Sequence, residues 1–550
     1  MNKKITWLSS IALGVALLTS CDNDYLQTYP QDQISGDEIS TKIEYCKYAV
    51  NGILKTMSTQ MYNVQGENGE GTTKNWHNNY KSGYSQKCGL TGWANSINGN
   101  YHVNPTNGYN AYRWTFYYKM ILNANNALDM IGNYEPGNNV DNAAKKEFYL
   151  AQVYTLRAYA YMQLTQLYCK RWDDSRNGQS RGVVLRLNTS NEALPCSTLG
   201  ETFAQIYKDL DTAIGKFQAC GLERSENWEV NEEVAHAVYS RAAIYRQDWA
   251  KSASEAKLAR ANYPLMGQDE YFNGFSTVND EWIWSLYSSA DEPLHYYGYF
   301  AFAASNSSAS ICRQYPFAID KMLYNSIPDS DVRKTLYLAP TEAEWKDFSK
   351  VNNKDTTFQI NRTTGRAQSG KLYNRAWKDY GDWLYYDGNN ISYIYMYMQF
   401  KVRCQESPSI GQLNLARAAE MYYNEAESEY KLGHEQAARD LLTEAVKPYD
   451  PNYTCTLSGD ELYSEIKKYR VFDLFLEGYS YFDEKRWNQP RVRVSIQDGG
   501  SWHATFAVDT PPSAHNGWTW CIPAKETDYN EFINNNIEPD NWSKDDSSTW

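Results

Sequence analysis

Apolar residues recur at helical spacing in two separated stretches of this chain. Tyr117, Ile121 and Ala124, for example, fall on one face of a helix in the first stretch. Large tyrosines and small alanines alternate at interlocking positions in both stretches, an arrangement typical of stacked helical pairs. The pattern predicts one series of helices within about residues 112–262 and a second within about residues 412–487.

Helix start and stop signals support this prediction. Thr198 is followed three residues later by Glu201, which predicts a capping box and a helix running to about Phe217. The clearest helix of the second series is predicted over residues 412–432, with Gly433 as its C-terminal cap.

Three other segments differ from the helical series. Residues 62–111 are rich in Gly, Asn, Tyr and Trp and show no sustained period, residues 267–410 are mixed, and residues 488–550 are rich in Asn, Asp and Pro. Short apolar runs within them, such as residues 281–286, predict brief strands. The expected fold class is therefore mainly α, a tetratricopeptide-like scaffold of helical pairs with a large loop-rich ligand-binding face and a few short strands.

The N-terminal residues have the features of a targeting signal. Lys3 and Lys4 precede a short apolar stretch over residues 5–18, and small residues lead to Cys21. This pattern looks like a bacterial lipobox, in which residues 1–20 are removed and Cys21 carries the lipid anchor. An ordinary secretory signal with a chance cysteine is the alternative.

Composition excludes several classes of protein. The 550 residues include 47 Tyr, 18 Trp and 17 Phe, and this aromatic content argues against disorder. A mean hydropathy of −0.69 excludes a polytopic membrane protein. The net charge of −13 argues against nucleic acid as a partner, because duplex binders usually carry a basic footprint.

Motifs for catalysis or tight metal binding are absent from the sequence. Besides Cys21 there are nine cysteines, and none form a CxxC pair. Residues 173–178 begin like a calcium loop, but its twelfth position is Val184 instead of Glu, so calcium is only a weak candidate and no cofactor is predicted. Glycosidase carboxylates have no fixed spacing in sequence, so the acidic residues decide nothing about catalysis.

Five segments, in order, resemble the SusD/RagB family of Bacteroidetes outer-membrane lipoproteins. The post-anchor run is DYLQTYP at residues 24–30, and LRAYAY follows at residues 156–161. Residues 419–427 read AEMYYNEAE, residues 477–478 read EG, and CIPA stands at residues 521–524.

The resemblance implies one SusD-like domain over residues 21–550, anchored in the outer membrane and exposed at the cell surface. Such a protein captures an oligosaccharide and delivers it to a partner SusC-like TonB-dependent β-barrel transporter, without catalysis. A peptide-binding RagB-like protein and a surface glycosidase remain as alternatives.

A glycan site needs aromatic platforms for the apolar face of each sugar ring and polar side chains for its hydroxyls. Aromatic residues cluster with Asn and Gly in the predicted loops near residues 62–114, 295–299 and 373–397. The predicted glycan-binding residues are Trp76, Tyr80, Trp93, Asn95, Tyr296, Tyr297 and Trp377. Trp282, Trp284 and Trp487 are instead expected to pack in the core.

Overall fold

The computed structural model describes residues 42–58, 69–79, 83–93, 104–288, 298–351, 355–405, 409–510 and 518–533. Cys21 and the predicted signal peptide lie outside the described residues. No helix among the described residues combines the length and the apolar character needed to span a membrane.

Helices dominate the described chain. In order they are α1 (Ile43–Ser58), α2 (Glu70–Asn79), α3 (Gly108–Gly132), α4 (Val140–Tyr168), α5 (Leu199–Cys220), α6 (Glu232–Arg246), α7 (Trp249–Ala259), α8 (Gln268–Tyr271), α9 (Tyr299–Ala303), α10 (Ser310–Arg313), α11 (Lys321–Ser326), α12 (Glu342–Trp345), α13 (Gly370–Tyr380), α14 (Ala418–Lys431), α15 (Glu435–Val446), α16 (Gly459–Asp473), α17 (Ser480–Arg486) and α18 (Ala524–Thr527).

Short strands connect distant parts of the chain. They are β1 (Ser85–Lys87), β2 (Trp282–Ser285), β3 (Phe317–Ile319), β4 (Phe348–Val351), β5 (Asp355–Phe358), β6 (Arg366–Ala367), β7 (Ile394–Tyr395), β8 (Asn414–Arg417), β9 (Arg491–Arg493) and β10 (Val508–Thr510). Each pairs antiparallel with one other strand, giving β1–β3, β2–β8, β4–β5, β6–β7 and β9–β10 within the described residues.

The long helices pack on their successive neighbours and confirm the predicted fold class. Helices α3, α4 and α5 pack in series, α6 packs on α7, and α14 packs on α15. Helix α7 also packs directly on α14, so the two helical series form one continuous array. Buried Ala and Tyr residues fill the seams between helices, as the interlocking pattern predicted.

The predicted capping box is present at the start of α5. The Thr198 hydroxyl accepts a hydrogen bond from the Glu201 backbone N–H, and the Glu201 carboxylate accepts one from the Thr198 N–H. The helix ends at Gly221, whose φ of +61° is the left-handed conformation common at helix ends.

One local prediction was wrong. Residues 414–417, expected to begin the helix predicted over 412–432, form strand β8 because they pair with β2, which lies far away in sequence. Tertiary pairing overrides local periodicity there. The end of the second predicted series forms two helices, α16 and α17, separated by a turn in which Leu476 and Gly478 have φ of +65° and +86°.

A buried ionic cluster lies beside this turn. The Arg417 guanidinium donates to Glu281 (2.9 Å), Asp473 (2.7 Å) and Glu477 (2.8 Å), and none of the three pairs has appreciable exposure. Lys401 reaches the same Glu477 carboxylate at 2.7 Å. This cluster joins β8, the residue before β2, the end of α16 and the turn that follows α16.

Candidate ligand-binding face

Helix α2 lies in a segment that the sequence predicted as loop, and it carries Trp76. The turn after α16 holds this helix at two points. The Lys74 ammonium donates to the Glu477 carbonyl at 2.8 Å. The Asn78 amide donates to the Leu476 carbonyl at 2.6 Å and accepts from the Gly478 N–H at 2.9 Å. These contacts set the position of α2 against the scaffold.

Gly478 permits the close approach of this turn to α2. A Cβ atom at that position would lie 3.0 Å from the Lys74 side chain, in a backbone conformation that side chains rarely adopt. Burial lowers the pKa of the Lys74 ammonium to about 8. At the first turn of α2, the Tyr117 hydroxyl donates to the buried Glu70 carboxyl at 3.1 Å, and burial raises the pKa of that carboxyl.

Helix α9 is attached to the same turn. The Tyr299 hydroxyl donates to the Leu476 carbonyl at 2.9 Å, the same oxygen that Asn78 contacts. Lys87, at the end of β1, donates to the Phe302 carbonyl and lies between the rings of Phe302 and Phe317. One turn of the scaffold, residues 476–478, therefore holds both α2, which carries Trp76, and α9, which follows Tyr297.

The chain after β1 approaches a group of tyrosines. Gly89 has a φ of +70°, and a Cβ atom there would lie 2.5 Å from the Tyr395 hydroxyl and 3.4 Å from the Tyr315 ring. A single 3₁₀ turn, Thr91–Trp93, follows immediately. The pairing of β1 with β3 thus places Gly89, four residues before Trp93, beside two tyrosines from much later in the chain.

Two arginines lie over tyrosine rings in the adjoining region. The Arg313 guanidinium is 5.5 Å from the ring centre of Tyr385, and that of Arg366 is 3.4 Å from the ring centre of Tyr393. The Tyr393 N–H donates to the Arg313 carbonyl at 2.8 Å, which joins the two pairs. We call α2, the 88–93 turn and these two arginine–tyrosine pairs the ligand face.

The chemistry of the ligand face suits a polyhydroxylated ligand. Tyrosine rings offer apolar surfaces to the CH groups of a sugar, and guanidinium groups offer several N–H donors to its hydroxyls. The Nε of Arg366 has no partner among the described residues. The Tyr385 hydroxyl donates to the Asp387 carboxylate at 2.7 Å, which fixes that ring.

The structure locates only part of the predicted site. Trp76 belongs to α2 and Trp93 ends the turn after β1, but the side chains of both lie outside the described residues. The other predicted positions outside the described residues are Tyr80, Asn95, Tyr296 and Tyr297.

Trp377 lies on α13 and is half-buried. Its ring is 6.3 Å from that of Tyr373 and 6.2 Å from that of Tyr386, which is 65% exposed. Tyr385 contacts Arg313, whereas Tyr386 contacts Trp377. Contact of Trp377 with a ligand remains a prediction. As predicted, Trp282 and Trp284 are buried, each 1% exposed, and Trp487 packs half-buried against the core.

Sequence reasoning missed the two arginines of the ligand face. Arg313 ends a helix of four residues, and Arg366 belongs to a strand of two residues, so neither has periodic neighbours that mark its role. The run ISYIYMYM at residues 391–398 was the one available signal, since it alternates tyrosines at the spacing of a strand.

The weak calcium candidate receives no support from the geometry. The Asp174 carboxylate accepts from Arg171 at 2.7 Å and 2.9 Å, so the guanidinium occupies the place that a cation would take. Within the described part of the chain, no group of three His, Cys, Asp or Glu residues could hold a metal ion.

Family comparisons decide the identity of the fold. A model described as "SusD family" matches residues 244–544, more than half of the chain. The chain belongs to the SusD family. A second model, described as "Starch-binding associating with outer membrane", matches residues 29–260. No curated protein matches the chain significantly.

Solved structures agree with this assignment. A SusD-like carbohydrate binding protein from Bacteroides vulgatus is 19% identical, with a TM-score of 0.69 over 90% of this chain and 97% of that one. A SusD superfamily protein from Bacteroides thetaiotaomicron is 18% identical, with a TM-score of 0.68 over 90% and 99%. A putative sugar binding protein from Bacteroides vulgatus is 18% identical, with a TM-score of 0.66 over 90% of this chain and 99% of that one. At these identities the likeness establishes the SusD fold.

Proposed function

We propose that this SusD-family protein is a non-catalytic carbohydrate-binding lipoprotein of the outer membrane. In this proposal Cys21 carries the lipid anchor, residues 21–550 form one domain, and the ligand face captures an oligosaccharide at the cell surface. A SusC-like TonB-dependent transporter then receives the captured ligand.

The observation that carries the proposal is the family match over residues 244–544. The geometry of the ligand face supports it independently. Two arginine–tyrosine pairs from distant segments are joined through the Tyr393 N–H and the Arg313 carbonyl, and the turn at Gly89 lies beside the neighbouring Tyr395. A guanidinium group that is stacked on an aromatic ring can still donate to the neutral hydroxyls of a sugar. The ligand face therefore does not require an acidic ligand.

Binding is tested by calorimetry on the detergent-solubilised protein. The probes are maltoheptaose, cellohexaose, xylohexaose and mannohexaose, with chromatography of each mixture to detect products. We expect saturable binding of at least one probe and no product. Binding of none of them, with binding of peptides instead, would favour the RagB-like alternative, and product formation would favour a glycosidase.

Variants of the ligand face locate the binding. Trp93→Ala combined with Tyr393→Ala should weaken binding at least about tenfold, which corresponds to about 1.4 kcal/mol. Tyr529→Ala removes a ring that is 87% exposed and does not belong to the ligand face, so it should leave affinity unchanged. Equal affinity in both variants would reject this location.

The anchor and the partner need separate measurements. Cells given a labelled fatty acid should incorporate it into the wild-type protein and not into Cys21→Ala. Affinity purification of the wild-type protein from its own outer membrane should recover a TonB-dependent transporter. Recovery of the protein alone would remove the transporter from the proposal.

A further inference from the structure

A separate cleft of about 410 Å³ lies on the helical scaffold. Its walls come from the loop after α5, the loop after α7 and the segment before β2, which contribute Asn227, residues 262–264 and residues 278–280. Ligand-binding sites usually have volumes of about 300–1,000 Å³, so the cleft can hold a small ligand. None of these wall residues belongs to the ligand face. We call it the scaffold cleft.

The side chains around the scaffold cleft have the composition of a sugar site. Its lining includes the rings of Tyr263 and Pro264 together with four polar residues, Asn227, Asn262, Asn279 and Asp280. Planar amides pair with hydroxyls as both donors and acceptors, and the two rings offer apolar surface to CH groups. Only one of the four polar side chains is a carboxylate, whereas calcium sites usually combine several carboxylate oxygens. A neutral ligand therefore fits better than a cation.

Two residues that line the cleft each have a buried polar atom without a partner among the described residues. The Asn227 amide donates to the Trp282 carbonyl at 2.7 Å, but the Asn227 side-chain oxygen has no such partner. The buried indole N–H of Trp282 likewise has none. The Asn279 amide makes only a 3.9 Å contact with the sulfur of Met266, a weak acceptor.

Buried polar atoms normally have hydrogen-bond partners, from protein or from water. A hydroxyl group can accept from an N–H and donate to a carbonyl at the same time. A ligand with several hydroxyls therefore matches the exposed amide and carboxylate side chains of this wall, Asn262 and Asp280.

The scaffold cleft is held in shape by contacts outside it. Arg224 donates to the Asn227 carbonyl at 3.1 Å and to the Tyr263 hydroxyl at 3.0 Å. The Asn262 amide donates to Glu233 on α6 at 3.0 Å. A preformed site loses little conformational entropy when it binds, so weak individual contacts can suffice.

We infer that the scaffold cleft is a second carbohydrate-binding site, which takes a short neutral segment of a glycan apart from the ligand face. The class of ligand rests on the proposed function. Two sites on one protein bind a long chain with higher apparent affinity than either site alone, because the second contact becomes intramolecular. The protein should therefore bind a polysaccharide more tightly than its short fragments.

The test combines variants of the two sites. Asn262→Ala with Asp280→Ala removes two exposed side chains of the scaffold cleft, and Asn262→Trp fills it. The matched control is Asn126→Ala with Asp129→Ala, an exposed pair on α3 that does not line the cleft. Calorimetry measures the number of sites and the affinity for the four oligosaccharides named above, and thermal unfolding verifies that each variant folds.

We expect two equivalents of a probe to bind the wild-type protein. Each of the two scaffold-cleft variants should bind one equivalent fewer. The variant that combines Trp93→Ala with Tyr393→Ala should lose the other equivalent, and the control variant should bind both. One equivalent that only the ligand-face variant abolishes would overturn the inference and leave the proposed function intact. One equivalent that only the scaffold-cleft variants abolish would keep the inference and reject the ligand face. No binding by the wild-type protein would overturn both.

Discussion

Arginines are used in opposite ways in the interior and on the ligand face. In the interior, Arg417 is fully buried and donates to three carboxylates at 2.7–2.9 Å. On the ligand face, Arg313 and Arg366 lie over tyrosine rings, and the Nε of Arg366 has no partner among the described residues. The first arrangement uses guanidinium donors to join segments of the scaffold, and the second packs each guanidinium on a tyrosine ring.

The difference follows from the cost of burying charge. A fully buried guanidinium requires carboxylate partners, because an unpaired charge in a low dielectric is strongly unfavourable. A guanidinium at the surface is solvated on one side and can rest on a ring at little cost. We therefore expect interior arginines to affect stability and those of the ligand face to affect binding.

The largest expected effect is that of Arg417→Met. The substitution leaves the carboxylates of Glu281, Asp473 and Glu477 with fewer positive partners in the interior, so we expect a loss of about 3–5 kcal/mol of unfolding free energy. Denaturant unfolding measures it. The control is Lys346→Met, which removes an exposed ion pair with Glu342 and should leave unfolding nearly unchanged. Equal effects from both substitutions would contradict the comparison.

Acid should act on the same cluster. Burial alone would raise the pKa of Asp473, but Arg417, Arg333 and Lys401 together lower it to about 2, against an ordinary value of 3.8. A depressed pKa stabilises the folded state above about pH 3.8, and this contribution is lost as the pH falls towards 2. Asp473→Asn should be less stable at neutral pH and should lose less stability in this acid range. Parallel acid curves for the two proteins would refute this role of Asp473.

Asn78→Leu affects the junction between the interior and the ligand face. It leaves the Leu476 carbonyl with one partner fewer and the buried Gly478 N–H without its acceptor, at a cost of about 1–3 kcal/mol. Because α2 is no longer held at this point, glycan affinity should fall as well. Asn133→Leu, at an exposed position, is the control. A loss of stability with unchanged affinity would show that the turn does not position the ligand face.

The smallest effect on stability is expected from Arg366→Met. It removes donors from the ligand face, so affinity should fall about tenfold while the unfolding midpoint hardly moves. Arg246→Met removes a guanidinium that lies over Tyr207 at 4.7 Å on the scaffold, and its affinity should equal that of the wild type. A large loss of stability in Arg366→Met would place this residue with the interior arginines instead.

Local features of the sequence predicted the scaffold well. Thr198 and Glu201 form their capping box with each other, three residues apart, so no distant part of the chain is needed. Residues 414–417 illustrate the opposite case, since their strand exists only because β2 lies beside them. Helix α2 was missed because its polar sequence has little periodicity and its anchors are residues 476–478.

By itself, the sequence determined the helical array, the aromatic excess and the family resemblance, because these depend on spacing within short segments. Only the tertiary structure decided which aromatics face outward together. Arg313 lies over Tyr385 and Arg366 over Tyr393 because the β6–β7 strand pair and a backbone hydrogen bond from Tyr393 to Arg313 bring distant loops together. Such convergence follows from long-range packing, in which partners far apart in sequence bury apolar surface together, and no local pattern encodes it.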